Sequence, residues 1–317
     1  MSAGLVRSIG ERARRTATEV AWAQWSVLAP GAAPPPDRRP RSIVDPEALV
    51  LLSLAMRQAD ERLSDVVLGW ARRGAALLGV QRMTTLAEGF PGPARDALAD
   101  FAAAAGERRW RAHAGAAQQD ERQVAGEKPL GPMRLTVGPA LMLRLRAGLG
   151  VGAKADLLAV LLGLRGAPAA VSLLAAATGY SGRALRTAAE EMALAGFIER
   201  VEGAPVTYRA DYTAWAGVLR LFRVSAARMT DVPRWRYWSA VFAFLAEVDC
   251  WAADAEKHGW SAYRASSSAR DLVQDHTRSL LFPGLRLPDP AEPGGAAFLE
   301  DLAAGMDRVH AWCVKHL

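Results

Sequence analysis

Arg183, Arg186, Thr187 and Glu190 share one side of the segment GRALRTAAEEMALA, residues 182–195, when that segment is read as a helix. At 100° per residue, the opposite side carries the apolar residues Leu185, Ala188, Ala189 and Met192. An arginine guanidinium presents N–H donors in a planar fork, so it can bond twice to one guanine edge or to a phosphate. A threonine can hydrogen-bond a base or contact a thymine methyl group. The pattern therefore supplies chemistry for recognising base edges and anions.

The helix over residues 182–195 has both a start signal and a stop signal. Ser181 is a good N-cap, because a serine hydroxyl can accept from the first free amides of a helix. Gly179 lies in the preceding Thr178-Gly179-Tyr180 turn and can adopt a positive φ. Gly196 follows the last apolar position, where helices commonly end on glycine.

Two shorter helices are predicted before this one, and a hairpin after it. Residues 153–164 carry an apolar stripe of leucines, and after Gly166 the residues 169–177 predict a second helix. From Phe197 the apolar period changes from 3.6 to 2, which indicates two strands joined at residues 202–205.

The order helix, helix, turn, helix and hairpin over about residues 152–210 resembles the winged-helix domains of MarR- and ArsR-type bacterial transcription regulators. The segments that carry the resemblance are ATGYSGRALRTAAEEM, LAGFIERV and TYRA. The resemblance implies a central winged helix-turn-helix with a two-stranded β wing. It also implies sequence-specific binding of double-stranded DNA by a transcriptional regulator, with residues 182–195 entering the major groove N-terminus first.

The resemblance also implies which residues contact DNA. Arg183, Arg186 and Thr187 would reach base edges, and Ser181 with the first amides of its helix would hold a phosphate. Further contacts to the DNA backbone would come from Arg200, Arg209 and Lys154. The alternative for these arginines is an ordinary solvated helix face. Winged helices also serve as protein–protein modules, so a second hypothesis is an interaction protein or antitoxin-like adaptor that uses this domain for packing.

The charge distribution bears on the oligomeric state. Net charge is +6, from 39 basic and 33 acidic residues. The basic excess lies in residues 1–44 and 106–150, whereas residues 151–213 contain as many acidic as basic side chains. Because DNA affinity depends on phosphate neutralisation, one such domain would bind weakly. We therefore expect a homodimer on a palindromic operator.

A basic segment could assist in binding phosphates. Its residues are Arg108, Arg109, Trp110 and Arg111, together with Arg134, Arg144 and Arg146. Basic side chains interleaved with an aromatic ring can follow a phosphate backbone or stack on a base. The alternative is a solvated loop or helix end, with the stems of Arg144 and Arg146 covering core.

The rest of the chain predicts helical regions on both sides, and hence a mainly α protein. The expected organisation is an N-terminal helix and proline-rich linker (1–44), a helical region ending in a basic polar linker (45–132), the winged helix-turn-helix domain (133–213) and a tryptophan-rich helical domain (214–317). Trp235, Trp238, Phe242, Leu245 and Val248 or Cys250 recur at helical intervals. They favour a bundle core. The other interpretations are an aromatic cavity for an unknown small-molecule effector, or a dimer or partner surface.

Several function classes are excluded on sequence grounds. The chain contains no phosphate-binding P-loop, dinucleotide-binding glycine motif, HExxH or GxSxG, so we expect no enzyme and no cofactor. His310, Cys313 and His316 share a broad helical face but lack a fourth ligand, which argues against a metal site. Two cysteines provide no disulfide framework, and the longest apolar run, residues 157–164, is far shorter than the about 20 residues of a spanning helix. These features predict a cytoplasmic protein without a membrane partner.

Overall fold

The computed structural model describes residues 2–31, 40–106, 133–220, 232–291 and 295–317. These residues are mainly helical, with a small three-stranded antiparallel sheet in the middle of the chain. The helices before the middle of the chain are α1 (Ser2–Leu28), α2 (Pro46–Ala55), α3 (Glu61–Gly74), α4 (Val80–Ala87) and α5 (Gly92–Ala105).

The central elements alternate between helix and strand. In chain order they are α6 (Leu141–Leu149), α7 (Ala153–Gly163), β1 (Ala169–Ala170), α8 (Val171–Thr178), α9 (Gly182–Leu194), β2 (Glu199–Val201), β3 (Thr207–Arg209) and α10 (Tyr212–Val218). The last three helices are α11 (Trp238–Lys257), α12 (Ala262–Leu280) and α13 (Ala296–His316). No helix in the described ranges is both long and apolar enough to cross a bilayer.

The start of α2 follows from local sequence. Asp45 is the N-cap, and its carboxylate accepts a hydrogen bond from the Ala48 amide at 3.4 Å. Pro46 occupies the first helical position, where its missing N–H leaves no donor unpaired. Both signals are local, because an N-cap and a proline at the first helical position act through a few neighbouring residues.

The sheet has the strand order β1–β3–β2. Glu199 pairs with Arg209 and Arg200 with Tyr208 in the hairpin, while Ala169 pairs with Tyr208 on the other side of β3. The predicted helix over residues 169–177 is therefore wrong at its first two residues. Alanine favours a helix locally, but pairing with β3 satisfies the backbone of Ala169 and Ala170 instead.

Gly196 ends α9 as predicted, but the start of the hairpin differs from the prediction. The Gly196 amide donates to the Ala193 carbonyl at 3.0 Å, and the Phe197 amide donates to the Met192 carbonyl at 2.9 Å. This pair of bonds is a Schellman motif, which requires the positive φ of 73° that Gly196 adopts. Phe197 thus belongs to the helix cap and not to the strand, which begins at Glu199.

Two hydrophobic cores divide the described residues. The first core, called the flanking core, contains apolar side chains of α1 to α5 together with those of α11 to α13. The second core, called the central core, is built mainly from α6 to α10 and the sheet. Helix α6 contributes to both, since Leu143 packs in the flanking core while Met142 and Leu145 pack in the central core. The two outer parts of the chain thus share one interior.

Helix α1 packs against α11 and α13, although more than two hundred residues separate α1 from them. A Cβ atom at Gly10 would collide with that of Ala252, so glycine permits the close approach of α1 to α11. Trp238, Phe242 and Leu245 of α11 are buried in the flanking core, as the preferred interpretation of this segment predicts. Trp235 is also buried, but in the central core.

Candidate nucleic-acid interface

Helix α9 presents the side chains that the sequence analysis selects for base contact. Ser181 is its N-cap, and the serine Oγ accepts from the Ala184 amide at 3.2 Å. The preceding Gly179 has a φ of 74°, which allows the tight turn between α8 and α9. Local sequence therefore fixes where α9 begins.

The two faces of α9 divide as predicted. Its buried side packs into the central core through Leu185, Ala189 and Met192, with Ala188 buried beside them. Arg183, Arg186 and Thr187 are exposed. Among the residues that the structure describes, neither arginine forms an ion pair or a hydrogen bond, so both guanidinium groups keep their donors for an external acceptor.

The basic residues of the hairpin are exposed but engaged. Arg209 forms a two-fold pair with Glu199 across the strands, with Nε to Oε2 at 2.8 Å and Nη2 to Oε1 at 2.9 Å. Arg200 is paired with Glu202 at the start of the hairpin tip. Both pairs are open to solvent, where such interactions are individually weak. The hairpin cations are thus neutralised by neighbouring carboxylates in the isolated chain.

Lys154 is likewise exposed and paired with a carboxylate of the same chain. Its Nζ lies 2.7 Å from Oε2 of Glu191, and both side chains are exposed. The pair joins the first turn of α7 to the second half of α9. The seven residues selected from sequence are therefore all exposed, but only the three on α9 present side chains that no described group already binds.

A group of five charged side chains lies next to the turn before α9, and of these only Arg146 is singled out by the sequence. We call it the buried ion network; its members are Asp45, Glu47, Arg82, Arg146 and Asp156, and all five side chains are fully buried. It contains three carboxylates and two guanidinium groups. Buried charges persist only when they are paired and hydrogen-bonded, so the geometry of the network must be closely satisfied.

Arg146 connects two of the carboxylates. Its Nη1 lies 2.6 Å from Oε1 of Glu47, and its Nε lies 2.6 Å from Oδ1 of Asp156. The same guanidinium also donates to the Leu77 carbonyl at 3.0 Å. Burial opposes the charged form of Arg146, but Glu47 and Asp156 outweigh that penalty and raise its pKa. The arginine therefore stays charged inside the protein.

Arg82 connects the network to the turn before α9. Its Nη2 pairs with Asp45, its Nε lies 3.3 Å from Oε2 of Glu47, and its Nη1 donates to the Thr178 carbonyl at 2.7 Å. Thr178 is the last residue of α8, three positions before the Ser181 cap. Helix α4 of the flanking region thus holds the turn that orients α9.

Tyr180 lies in that turn and is partly buried. Burial raises the pKa of its hydroxyl well above the ordinary value, and the charge of Asp156 adds to the increase. The hydroxyl therefore stays protonated at physiological pH. It contributes no charge to the turn.

The sequence carried a partial signal for the network. Arg146 follows Met142, Leu143 and Leu145, so a helical projection places it among apolar residues. The interpretation of Arg146 as part of a basic phosphate-binding segment is wrong, because this side chain is buried and bound by two carboxylates. Arg134 is exposed and Arg144 is partly buried. The remainder of that segment, Arg108, Arg109, Trp110 and Arg111, lies outside the described residues.

The C-terminal histidines and cysteine do not converge. The imidazole Nδ1 of His310 is 3.1 Å from the Thr16 hydroxyl, and Nδ1 of His316 is 2.8 Å from the Trp312 carbonyl. Cys313 is buried in the flanking core. Within the described part of the chain, no three histidine, cysteine, aspartate or glutamate residues are placed to hold a metal ion.

A comparison of the chain with protein-family models, with curated proteins and with solved structures finds no match.

Proposed function

We propose that this protein is a sequence-specific DNA-binding transcriptional regulator that places α9 in the major groove. The observation that carries the proposal is the pair Arg183 and Arg186, which are exposed, lack described partners and stand in the first two turns of a capped helix. Arginines at the N-terminal end of a recognition helix are well placed to reach base edges. Each bidentate contact to guanine is worth about 1–3 kcal/mol of discrimination.

The topology supports the same proposal. Helix α7, strand β1, helices α8 and α9 and the β2–β3 hairpin follow one another in the order of a winged helix-turn-helix, and β3 lies between β1 and β2. In that arrangement α9 is the recognition helix and residues 202–206 form the tip of the wing. The tight turn at Gly179 separates the two helices of the motif. This order of elements agrees with the one that the resemblance to MarR- and ArsR-type regulators implies, and it supports assigning a winged helix-turn-helix here.

The charge arrangement supports a homodimer on the DNA. Lys154, Arg200 and Arg209 are already paired with carboxylates of the same chain, so one protomer has few cations to offer to phosphates. Two protomers on a palindromic site double the number of contacts, and their recognition helices would lie about one helical turn of DNA apart. We therefore include a two-fold symmetric operator in the proposal.

The second candidate function is a protein–protein adaptor that uses the same domain for packing. Three apolar side chains near the end of α9 and on α10 favour it: Leu194 is 90% exposed, Val218 is 73% exposed and Phe197 is 48% exposed. Phe197 is held in place by Trp215, whose indole donates to the Phe197 carbonyl at 2.9 Å. An adaptor would bury this apolar surface against a partner.

A DNA-binding measurement separates the two candidates. Fluorescence anisotropy with the gene's own upstream DNA, at about 50 mM and 200 mM salt, should give saturable binding that survives unrelated competitor DNA. The variant Arg183→Ala/Arg186→Ala should lose at least about tenfold in affinity and should lose the preference over competitor. The matched control is Arg95→Ala/Arg278→Ala, which removes two exposed arginines from α5 and α12. It should retain the preference.

Two results would contradict the proposal that this protein is a sequence-specific regulator. One is a folded protein that binds neither its upstream DNA nor pooled genomic fragments at low salt. The other is equal loss of affinity in the α9 variant and in the control, which would indicate nonspecific charge attraction. If DNA binding is absent, Leu194→Ser should be compared with the unmodified chain for partner binding, since the adaptor requires that apolar surface.

A further inference from the structure

Four cationic side chains and one histidine gather at a place away from α9. They belong to the ends of α7 and α13 and to the segment that leads into α11. We call this group the cationic patch; its members are Arg165, Arg234, Arg236, Lys315 and His316. Hydrogen bonds of the backbone hold these parts of the chain together.

The segment before α11 is fixed on both sides. The Trp235 amide donates to the Gly163 carbonyl at 3.1 Å, and the Ile43 amide donates to the Arg234 carbonyl at 2.9 Å. A Cβ atom at Gly163 would lie 2.5 Å from the Trp235 nitrogen, so glycine is required for this approach. The backbone thus fixes the segment that carries Arg234 and Arg236.

The ends of α7 and α13 are tied to the same segment. The guanidinium of Arg165 donates to the Val232 carbonyl at 2.8 Å. Trp312 of α13 packs edge-on against Trp238, with 5.1 Å between ring centroids, and the Trp238 indole donates to Ser42 at 2.9 Å. The positions of the charged groups therefore follow from the packing of buried backbone and aromatic rings.

The members of the patch lie close enough to repel one another. Burial lowers the pKa of Arg236, and the charges of Arg234 and Arg165 lower it further. Burial likewise lowers the pKa of His316, with Arg236, Lys315 and Arg234 contributing. Like charges in proximity disfavour the charged forms, which is the pattern expected when no counter-charge is present.

Among the described residues, no carboxylate side chain forms an ion pair with a member of the patch. The polar contacts of Arg165, Arg236 and His316 are with main-chain carbonyls, and Arg234 and Lys315 have none through their side chains among the described residues. The hairpin differs, because Arg200 and Arg209 each have a glutamate there. The patch therefore has no anionic side chain as a partner.

From this arrangement we propose that the cationic patch is a binding site for a phosphate-bearing anion. Guanidinium groups match the oxygen geometry of phosphate, and a multivalent anion would offset the mutual repulsion of the four cations of the patch. Aromatic rings adjoin the site: Tyr237 stacks on Phe282 with centroids 5.2 Å apart, and Phe282 is 47% exposed. They offer a surface for a planar group attached to the phosphate.

The site is separate from the proposed DNA-reading surface. Strand β1 is antiparallel to β3, which leads away from the hairpin tip, so β1 points toward the tip. Arg165 precedes β1 and therefore lies toward the opposite end of the sheet. The proposal stands independently of DNA recognition by α9.

Calorimetric titration of the full chain with sodium pyrophosphate tests the proposal, with sodium chloride at equal ionic strength as the reference. The variant Arg234→Ala/Arg236→Ala should weaken pyrophosphate binding by at least about tenfold. The matched control Arg95→Ala/Arg278→Ala, which removes the same charge from exposed positions on α5 and α12, should bind pyrophosphate as the unmodified chain does. Lys315→Ala changes an exposed side chain and should weaken binding without affecting folding.

A second readout follows His316 by NMR, with His316→Gln to assign its resonance. Pyrophosphate should raise the pKa of His316, because a nearby anion stabilises the imidazolium. The proposal is overturned if the unmodified chain binds pyrophosphate no better than chloride, or if Arg234→Ala/Arg236→Ala binds it equally well.

A further titration with a nonspecific DNA duplex distinguishes two sources of the phosphate, the nucleic-acid backbone and a small phosphate compound. If the duplex competes with pyrophosphate and loses affinity in Arg234→Ala/Arg236→Ala, the site takes backbone phosphates of nucleic acid. If duplex affinity is unchanged while pyrophosphate binding is lost, the ligand is a small phosphate compound. Either result supports the anion site.

Discussion

Glu47 and Arg146 lie 99 residues apart in the sequence and form a fully buried ion pair, with Oε1 and Nη1 2.6 Å apart. Glu47 belongs to α2 of the flanking core, and Arg146 belongs to α6, which contributes to both cores. Through Arg82 the same network bonds the Thr178 carbonyl, just before α9. The orientation of α9 is thus coupled to the interior of the flanking region.

The variant Arg146→Ala should destabilise the protein by about 3–5 kcal/mol, because it leaves the carboxylates of Glu47 and Asp156 buried with one compensating cation fewer. Urea denaturation measures the change in the free energy of unfolding. The control is Arg12→Ala, whose partner Asp307 is exposed and 2.9 Å away. It should cost less than about 1 kcal/mol. Equal effects of the two substitutions would contradict a structural role for the buried ion network.

The variants Ser181→Ala and Ser261→Ala form a matched pair, because each removes the N-cap hydroxyl of one helix. Each should lower the free energy of unfolding by about 1 kcal/mol. Only Ser181→Ala should also weaken DNA binding, since its cap fixes the first turn that carries Arg183. Urea denaturation and fluorescence anisotropy together test this. A DNA-binding loss of equal size in Ser261→Ala would show that general destabilisation is responsible.

The variant Glu199→Gln/Glu202→Gln should raise affinity for duplex DNA severalfold, because it releases Arg209 and Arg200 to contact phosphates. The salt dependence of binding should become steeper by up to about 0.9 for each cation that gains a phosphate contact. Anisotropy at several salt concentrations measures both quantities. The control is Glu256→Gln/Asp307→Asn, which removes the partners of Arg7 and Arg12 on the flanking helices. An equal gain in DNA affinity in the control would show that the change in net charge, and not the release of Arg200 and Arg209, is responsible.

Cys313 should be unreactive in the folded protein. Burial raises the pKa of its thiol far above the ordinary value, with a further contribution from Glu19. Burial also raises the pKa of the half-buried Cys250. A raised pKa leaves less thiolate at a given pH, and the thiolate is the reactive form.

A chromogenic thiol reagent at about pH 8 tests this expectation on the variant Cys250→Ser. Labelling of Cys313 should require unfolding by guanidinium and should then reach one thiol per chain. Labelling within seconds in native buffer would show that α13 does not stay packed against α1. Such a result would contradict the described position of α13.

Local signals in the sequence located the elements that carry the candidate interface. Asp45 before Pro46 and Ser181 before α9 predict helix starts, and Gly196 predicts a helix end, because caps depend on a few neighbouring residues. Strand β1 was missed for the opposite reason. Two alanines favour a strand only through their pairing with β3, which is remote in sequence.

The buried ion network could be predicted only in part. The apolar neighbours of Arg146 indicate that its side chain points inward, but nothing in the local pattern identifies Glu47 as its partner. The shared flanking core could not be predicted for the same reason. Periodicity shows which side of α1 is apolar, whereas the helices that cover that side come from the far end of the chain.

The union of the two outer regions in one core has a consequence for synthesis on the ribosome. Arg7 of α1 is made 249 residues before its partner Glu256, whereas Arg209 follows Glu199 by only ten. At about 5–20 residues per second, roughly 12–50 s pass before α11 is available to α1. During that interval the hairpin and its neighbouring helices gain their partners, while the side of α1 that packs against α11 and α13 remains uncovered. We therefore expect the middle of the chain to fold before either end, and α1 to be the segment on which a ribosome-associated chaperone can act for longest.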